Sequence, residues 1–331
     1  MNILLTIAIP TFNRADYLDL NLKQLCAQMG ECGDEVEILV SDNCSDDHTE
    51  SIVEKYKKSG FKIKFIKNTE NIGAERNFIQ CFNRAEGKYI LILGDDDLLL
   101  DNALVRIISF LKRGEYGLVR LFSYGYDRDF KAEMSQKIPL EGVSSDSNAF
   151  ITKIGYFISY ASGCIANREL LNETSGFRSD RFIGTNFPHV YWFLTAAIRA
   201  KINGCVGGMS IAAKRNNSGS YQLADIFARK LNQVFDWIAT NEDISAAVFV
   251  KINNHLLLTF FPYFVLRQRA GLNRSFEVDK TFQTLFTVYR RNIRFWIFVA
   301  PLAILPRWCC KLIFYMGDYT YKNLIARRIS H

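Results

Sequence analysis

Strand-like and helix-like segments alternate along the first 93 residues of this 331-residue chain. Short apolar runs rich in β-formers are each followed by a segment whose apolar residues recur at helical spacing. Such alternation is typical of strand–helix–strand units, whose strands run parallel. It predicts an α/β fold with a mostly parallel central sheet. The strands are expected at Ile3–Ile9, Glu35–Val40, Phe61–Ile66 and Lys88–Leu93, and the helices at Tyr17–Gln28, Asp47–Lys58 and Ala74–Ala85.

The character of the sequence changes near residue 220, after which long amphipathic helical segments dominate. The length allows two domains of ordinary size. We therefore expect an α/β domain over residues 1–220 and a helical region over residues 221–331. Within the first domain, residues 128–148 are polar and lack periodicity, which predicts a loop over a site.

The C-terminal 81 residues are strongly basic, with 13 Lys or Arg and three acids, so they carry +10 while the first 250 residues carry −3. Residues 295–305 form an uncharged run between arginines, too short to span a bilayer, which needs about 20 apolar residues. This pattern predicts a helix lying in a membrane interface near residues 290–316, with Trp296, Trp308 and Tyr315 at headgroup depth. The alternative is a buried core helix with a basic rim.

A basic surface of this kind indicates an anionic partner, either acidic lipid or nucleic acid. The aromatic residues fall in one uninterrupted apolar block instead of between basic residues, which favours an anionic membrane surface and no nucleic acid. The eight cysteines form no C-x-x-C pair, and the N-terminus does not read as a signal peptide. We expect reduced thiols and a peripheral location on the cytoplasmic side of a membrane.

Three adjacent carboxylates, Asp95, Asp96 and Asp97, follow Gly94 directly after the apolar strand Lys88–Leu93. Adjacent like charges are unfavourable unless a cation lies among them. Mg²⁺ and Mn²⁺ prefer oxygen ligands, and the carboxyl end of a strand in an open α/β sheet is where ligands bind. The motif predicts a divalent metal site; the alternative is a solvated acidic turn that caps a helix.

Short polar side chains follow the other three predicted strands and are expected at the same edge of the sheet. Together they predict a nucleotide pocket in which arginines face phosphate. Its candidate residues are Pro10, Thr11, Asn13 and Arg14 after the first strand, Asp42 and Asn43 after the second, and Asn71, Gly73 and Arg76 after the third. Each cluster taken alone is an ordinary turn.

Four motifs, IPTFNR, VSDNCSDD, N-x-x-NIGAERN and GKYILILGDDD, resemble in order and spacing those of family 2 glycosyltransferases with the Rossmann-like GT-A fold. The resemblance covers about residues 3–120. Residues 182–190 are similar to a narrower set, bacterial O-antigen sugar transferases of the abequosyltransferase type. The resemblance implies a nucleotide-sugar half over residues 1–120 and an acceptor half over 121–220.

The resemblance also implies roles for the matching residues. Thr11 and Arg14 would lie by the nucleotide, Asp42 would bond the base, and Asn71, Gly73 and Arg76 would line the base and ribose. Asp96 would be the main metal ligand, Asp95 a ribose or second metal contact, and Asp97 a support for either. The family's D-x-D-D pattern has its first Asp where this chain has Gly94, which leaves metal dependence open.

A carboxylate base is expected in inverting members of the family about 90 residues after the acidic motif. Here His189 lies 93 residues beyond Asp96 and is the candidate base, with Asp180 as a substitute. Alternatively the donor diphosphate accepts the proton in a retaining reaction, and His189 is structural. Lys214 and Arg215 begin a polar loop, 214–220, that either closes over the donor diphosphate or is an exposed turn.

The preferred hypothesis is a membrane-peripheral enzyme that moves a sugar, with a dideoxyhexose among the candidates, from a nucleotide-diphosphate sugar to a polyprenyl-diphosphate-linked saccharide in O-antigen or related synthesis. Anchoring suits such an acceptor because it confines the search to the membrane. The alternatives are a nucleotidyltransferase of similar fold, which should carry a Gly-rich phosphate loop that residues 9–14 lack, and a non-enzymatic protein that binds lipid or nucleic acid.

Overall fold

The computed structural model describes residues 3–215, 222–271 and 281–320. Its strands are β1 Leu5–Thr11, β2 Val36–Asp42, β3 Ile63–Lys67, β4 Tyr89–Ile92, β5 Leu98–Leu99, β6 Tyr116–Tyr126, β7 Gly142–Ser144, β8 Cys164–Asn167 and β9 Ile202–Lys214. The helices up to β9 are α1 Ala15–Cys26, α2 Thr49–Lys58, α3 Ala74–Arg84, α4 Ala103–Leu111, α5 Ser147–Ile154, α6 Arg168–Glu173 and α7 Pro188–Arg199.

The remaining described chain is helical. Its α-helices are α8 Leu231–Asn241, α9 Ala246–His255, α10 Phe261–Arg269, α11 Thr281–Tyr289, α12 Ala300–Ile304 and α13 Arg307–Thr320. Three π-helical segments, Asp225–Lys230, Leu256–Phe260 and Phe295–Val299, adjoin them.

The described strands form one sheet in the order β3-β2-β1-β4-β8-β6-β9-β5, with β7 paired to β9. The first four strands run parallel, as the alternation predicts. The expectation of a mostly parallel sheet is wrong for the whole, because β8 lies antiparallel between β4 and β6, and β5 and β7 pair antiparallel to β9. The sheet is therefore mixed.

Helix α1 shows how the apolar pattern builds the core. Leu18, Leu22 and Leu25 recur at helical spacing, so they lie on one face, where they are buried against the side chains of β1. The register then brings the strand ends together, since Thr11 of β1 lies beside Asp42 of β2. The Leu93 amide after β4 donates to Ala8 of β1. The loops after β1, β2 and β4 consequently leave the sheet at one edge.

The described chain divides into two compact units. The first contains residues 3–215 and 236–248 and holds the whole sheet. The second contains residues 222–235, 249–271 and 281–320. The domain boundary expected near residue 220 falls within 216–221, outside the described residues, so it stays a prediction.

The second unit has its own interior. Phe261, Leu285 and Phe295 are fully buried there. The Tyr289 hydroxyl donates to Asn253 Oδ1 at 2.6 Å, and Asn253 Nδ2 donates to Asn232 Oδ1 at 2.7 Å. Tyr289 is buried and the two asparagines are partly buried, so these hydrogen bonds satisfy polar groups in and beside the interior.

One described helix, Ala246–Arg269, is long and apolar enough to cross a membrane by length and composition alone. A pair of shorter helices meets the same criterion of length and composition only when the two are counted together, and the pair is bent by 117° at its junction. These helices are Phe295–Ile304 and Arg307–Tyr315. Core helices of soluble proteins meet this criterion too, and 44% of the first helix's apolar stretch is buried within the protein.

Candidate active site

The acidic turn Gly94–Asp97 follows β4 at the edge where the parallel strands end. Asn21 of α1 holds this turn, because its buried Nδ2 donates to the carbonyl oxygens of Gly94 at 3.0 Å and Asp97 at 2.7 Å. The Asp97 amide also bonds the Gly94 carbonyl. The turn is thus fixed by backbone contacts that leave its carboxylates available for other partners.

Asp95 and Asp96 face Arg14, the residue just before α1. Asp95 accepts a hydrogen bond from the Thr11 hydroxyl at 2.8 Å, and Arg14 Nη1 lies 3.1 Å from Asp95 and 3.3 Å from Asp96. Burial raises the pKa of Asp95 to about 6, although Arg14 opposes the rise. Asp96 is the most accessible of the three side chains, at 19% exposure against 6% for Asp95. The geometry therefore presents Asp96 to a ligand.

Asp97 points away from Arg14. Its Oδ2 accepts hydrogen bonds from Ser162 Oγ at 2.6 Å and from the Tyr160 hydroxyl at 2.7 Å. Its Oδ1 accepts from the Lys214 amide at 3.3 Å. Burial, with the neighbouring Asp96 charge, raises the pKa of Asp97 to about 7. Asp97 joins the acidic turn to the segment before β8 and to the end of β9.

A metal ion fits this turn only with help from a ligand. In the described part of the chain, no group of three or more His, Cys, Asp and Glu side chains is arranged to hold a metal. Mg²⁺ is commonly bound by one or two carboxylates together with substrate phosphates, and Asp96 suits that arrangement. The Cβ of any other residue at Gly94 would lie 3.0 Å from Asp96 Oδ1 and 3.1 Å from Asp97 Oδ2. A side chain here would press on both carboxylates, which explains why glycine suits this turn.

The loop after β2 forms the candidate base pocket. Asp42 is fully buried; its Oδ1 accepts the Ser45 amide at 2.9 Å, while its Oδ2 has no hydrogen-bond partner. A buried carboxylate oxygen without a donor is costly, so a ligand N–H is the natural partner for it. Asn43 joins the next loop, since its Nδ2 donates to Asn71 and its Oδ1 accepts the Ile72 amide. Asn43 therefore joins the loop that carries Asp42 to the loop that carries Asn71.

Asn13 and Pro10 shape the neighbouring loop. Asn13 adopts a positive φ of 53°, its amide donates to Ser45 Oγ at 2.8 Å, and its Oδ1 accepts the Asp46 amide. Pro10 lies in β1 beside Ser41 of β2. Both residues therefore help to position the loop after β1 against β2 and the loop that follows it.

Gly73 and Arg76 lie at the start of α3. Gly73 has a φ of 86°, which favours glycine, and its amide donates to Asn71 Oδ1. Arg76 is exposed, one residue after Glu75. Glu75 accepts hydrogen bonds from the amides of Gly184, at 2.8 Å, and Asn186. Sequence reasoning missed Glu75, which holds the loop before α7 against the donor half.

The candidate base His189 is buried at the start of α7. Its Nε2 lies 2.9 Å from the Ser159 carbonyl oxygen, and its Nδ1 is buried without a partner. Its ring packs on Phe78, Phe187 and Phe193. Burial lowers the pKa of His189 to about 4, so the ring is neutral near pH 7. A proton-accepting role stays a prediction; the observed contacts are those of a residue that positions the 159–162 segment.

The remaining candidates lie away from the interior, since Asp180 and Lys214 are partly exposed and Arg215 is exposed. Asp180 pairs with Arg178 at 3.1 Å, which lowers the pKa of the carboxyl group, and neither contacts the acidic turn. Lys214 lies with Nζ over the Tyr126 ring and also donates to the Asp127 carbonyl. Arg215 pairs with Asp127 at 3.2 Å. Residues 216–220 of the predicted loop lie outside the described residues.

Asn21, Tyr160 and Ser162 also belong to the site, and sequence reasoning missed them. Each is an ordinary residue type in an ordinary context, and each reaches the turn from at least 63 residues away. The one available signal was the polar Asn21 among the apolar residues of α1.

This chain is similar in sequence to several known proteins. The model of the family described as glycosyl transferase family 2 matches residues 6–175. The abequosyltransferase RfbV of Salmonella typhimurium is 28% identical over 201 residues, which cover 57% of this chain and 59% of the relative. The GalNAc(5)-diNAcBac-PP-undecaprenol β-1,3-glucosyltransferase of Campylobacter jejuni is 28% identical over 160 residues, covering 48% and 49%. The chain thus spans about half to three fifths of these relatives' lengths.

Solved structures show the same fold. Residues 1–349 of Staphylococcus aureus TarS, in complex with UDP-GlcNAc, superpose with a TM-score of 0.62 at 16% identity, covering 95% of this chain and 92% of that one. The mannosyltransferase PcManGT of Pyrobaculum calidifontis, in complex with GDP-Man and Mn²⁺, gives a TM-score of 0.52 at 16% identity, covering 98% and 82%. At these identities the likeness establishes the GT-A fold alone.

Proposed function

Because this chain belongs to glycosyl transferase family 2, we propose that it transfers a sugar from a nucleotide-diphosphate sugar to a polyprenyl-diphosphate-linked saccharide. The observation that carries the donor half is the shared edge of the sheet. There the buried Asp42 Oδ2 lacks a donor, and Asp96 and Arg14 lie at the end of the next strands. One end of that edge suits a nucleobase and the other suits a diphosphate.

The residues divide the donor between them. Asp42 accepts an N–H of the base, Asn71 and Gly73 line the base and ribose, and Arg14 and Arg76 place positive charge near the diphosphate. A divalent ion held by Asp96 and the donor phosphates would supply charge stabilisation of the leaving nucleoside diphosphate. A relative of the same fold is described with Mn²⁺ and GDP-Man, which supports this cofactor class.

The acceptor proton has two routes among the residues of this site. Either His189 accepts it, with inversion at the anomeric carbon, or a donor phosphate oxygen accepts it on the same face, with retention. Burial encloses the imidazole and lowers the pKa of His189 to about 4, which makes it a weak base and favours the second route. The anomeric configuration of the product, read by NMR, decides between them.

The names of two relatives support the substrates. One relative is described as acting on an undecaprenol-diphosphate-linked saccharide, which supports a polyprenyl acceptor. Another is an abequosyltransferase, which supports a dideoxyhexose as one candidate donor sugar and O-antigen synthesis as the setting. All eight cysteines are free, and free thiols are usual in reducing compartments, which supports the proposed peripheral location on the cytoplasmic face of the bacterial inner membrane.

Membrane attachment is proposed for the second unit. Residues 293–315, here called the interfacial patch, carry exposed apolar side chains, with Ile304 74% and Trp308 68% exposed, while Phe295, Val299 and Cys310 face inward. No acid occurs between residues 281 and 315, and five cations lie in or just before the patch, at Arg290, Arg291, Arg294, Arg307 and Lys311. Apolar side chains beside unopposed cations fit an anionic lipid surface.

Two experiments test these proposals. With nucleotide sugars and a polyprenyl-diphosphate-linked saccharide, release of a nucleoside diphosphate supports glycosyl transfer, whereas release of pyrophosphate indicates a nucleotidyltransferase. In flotation with anionic vesicles, Ile304→Ser/Trp308→Ser should lose binding, and Leu20→Ser in the first unit should keep it. Vesicle binding that survives the double substitution would contradict the patch.

A further inference from the structure

A groove of about 670 Å³ opens in the first unit, where Leu100 and Asp101, just after β5, form part of its lining. Its apolar lining comes from Leu100, Phe130, Met134, Ile138, Leu140 and Met209. The volume is within the range of about 300–1,000 Å³ that is usual for small-molecule sites. None of the donor-site residues described above lines it.

The outer wall of this groove is apolar and exposed. Ile138 is 81% exposed and Leu140 is 85% exposed, although both are large aliphatic residues. The wall is anchored at Pro139, because the Gly208 amide donates to the Pro139 carbonyl at 2.8 Å. Covering these side chains would remove apolar surface from water, so an apolar ligand has a clear driving force here.

The charge of the groove is positive. Its two acids are neutralised, since Asp101 pairs with Lys131 at 2.9 Å and Glu141 pairs with Arg113 at 2.7 Å. Among the described residues no carboxylate pairs with Arg106 or Lys137, which also line it. Arg106 Nη2 donates to the Met209 carbonyl at 2.6 Å, and its buried Nε has no partner. Two cations beside an apolar wall fit an amphiphile with an anionic head.

Two connections link the groove to the acidic turn. The ring of Phe130 packs edge-on against the ring of Tyr126, with centroids 6.1 Å apart. The Tyr126 hydroxyl lies 3.4 Å from the Asp96 carbonyl oxygen. Leu100 follows Asp97 by only three residues. An amphiphile in the groove would therefore lie next to the turn that faces the donor.

We propose that this groove binds the acceptor's lipid carrier, with the first isoprene units against Ile138 and Leu140 and the diphosphate near Arg106 and Lys137. This inference rests on the proposed function, because it assigns the lipid part of the acceptor to a place on the donor-binding unit. The groove is assigned to a single prenyl chain, whereas the interfacial patch is assigned to the bilayer surface.

The test uses the full chain and farnesyl diphosphate as the probe. Affinity is measured by calorimetry for the wild type, Ile138→Gln/Leu140→Gln, Lys137→Gln and the matched control Val105→Gln, an exposed aliphatic on α4 outside the groove. The double variant and Lys137→Gln should each weaken binding by about tenfold or more, and the control should match the wild type. All four proteins should bind nucleotide with Mn²⁺ equally.

Several results would overturn the groove assignment. Inorganic diphosphate that binds as tightly as farnesyl diphosphate would show that the chain is not recognised. A double variant that keeps prenyl binding but loses vesicle binding would assign the wall to a bilayer, and one that changes the sedimentation mass would assign it to a second copy of the chain. A wild-type protein that does not bind nucleotide with Mn²⁺ would instead contradict the proposed function.

Discussion

The Tyr160 hydroxyl donates a 2.7 Å hydrogen bond to the Asp97 carboxylate, across 63 residues of sequence. The bond ties the acidic turn of the donor half to the segment that precedes β8. The same segment is held from its other side by His189, whose Nε2 contacts the Ser159 carbonyl. A line of contacts therefore runs from α7 to the turn that carries Asp96.

Replacing Tyr160 with Phe should weaken this link. The change removes one donor from a buried carboxylate, so we expect the free energy of unfolding to fall by about 1–3 kcal/mol and kcat/KM to fall with it. Denaturant unfolding and steady-state kinetics measure the two effects. The matched control is Tyr263→Phe, whose ring is exposed on the second unit. Unchanged stability and activity in Tyr160→Phe would show that the bond positions nothing.

Replacing Asp42 with Asn should affect the base and not the metal. The substitution turns an acceptor with an unpartnered oxygen into a group that also donates, so we expect nucleotide affinity to fall about tenfold or more with unchanged Mn²⁺ dependence. Asp46→Asn, at an exposed carboxylate in the same loop, is the control. Calorimetry with nucleoside diphosphates provides the measurement, and equal affinity in both variants would remove Asp42 from the pocket.

His189 predicts a specific dependence of stability on pH. Burial lowers its pKa to about 4 from the ordinary value of 6.5, so between these values the unfolded chain binds more protons than the folded one. The free energy of unfolding should therefore fall by up to about 3 kcal/mol, through this residue alone, as the pH falls from 6.5 to 4. The stability of His189→Gln, measured by denaturant unfolding, should be correspondingly less sensitive to pH over this range.

The same variant separates the two roles of His189. If the residue only positions the 159–162 segment, His189→Gln should retain much of its kcat, because glutamine can still donate toward Ser159. A loss of kcat of about a hundredfold or more with unchanged stability would instead identify it as the base.

The donor half of the fold follows from local pattern. The four parallel strands β1 to β4 formed within two residues of their expected positions, because each carries its own apolar run and turn. The clusters after β1, β2 and β4 then meet without further information, since parallel strands end at one edge.

The rest depended on contacts that no local pattern records. Strand β8 has only four residues, and its antiparallel place between β4 and β6 is a choice of partners made in the folded chain. Asp97 looked like Asp95 and Asp96 in sequence, yet Tyr160 and Ser162 turn it away from them. His189 was a candidate base only because of its distance in sequence from Asp96. In the fold its ring packs on three aromatic rings, which no spacing predicts.

The central claim is that Asp96, accessible at the end of β4, binds a nucleotide-sugar diphosphate through a divalent ion. The most direct test is calorimetric titration of the full chain with UDP, GDP and CDP, each with Mn²⁺ and with chelator. The same titrations are made on Asp96→Asn and on the control Asp16→Asn, whose side chain is 95% exposed. We expect one nucleotide to bind in the wild type and the control, and its affinity to fall to the chelator level in Asp96→Asn. Nucleotide binding that keeps its full Mn²⁺ dependence in Asp96→Asn, or no binding of any nucleotide to the wild type, would contradict the claim.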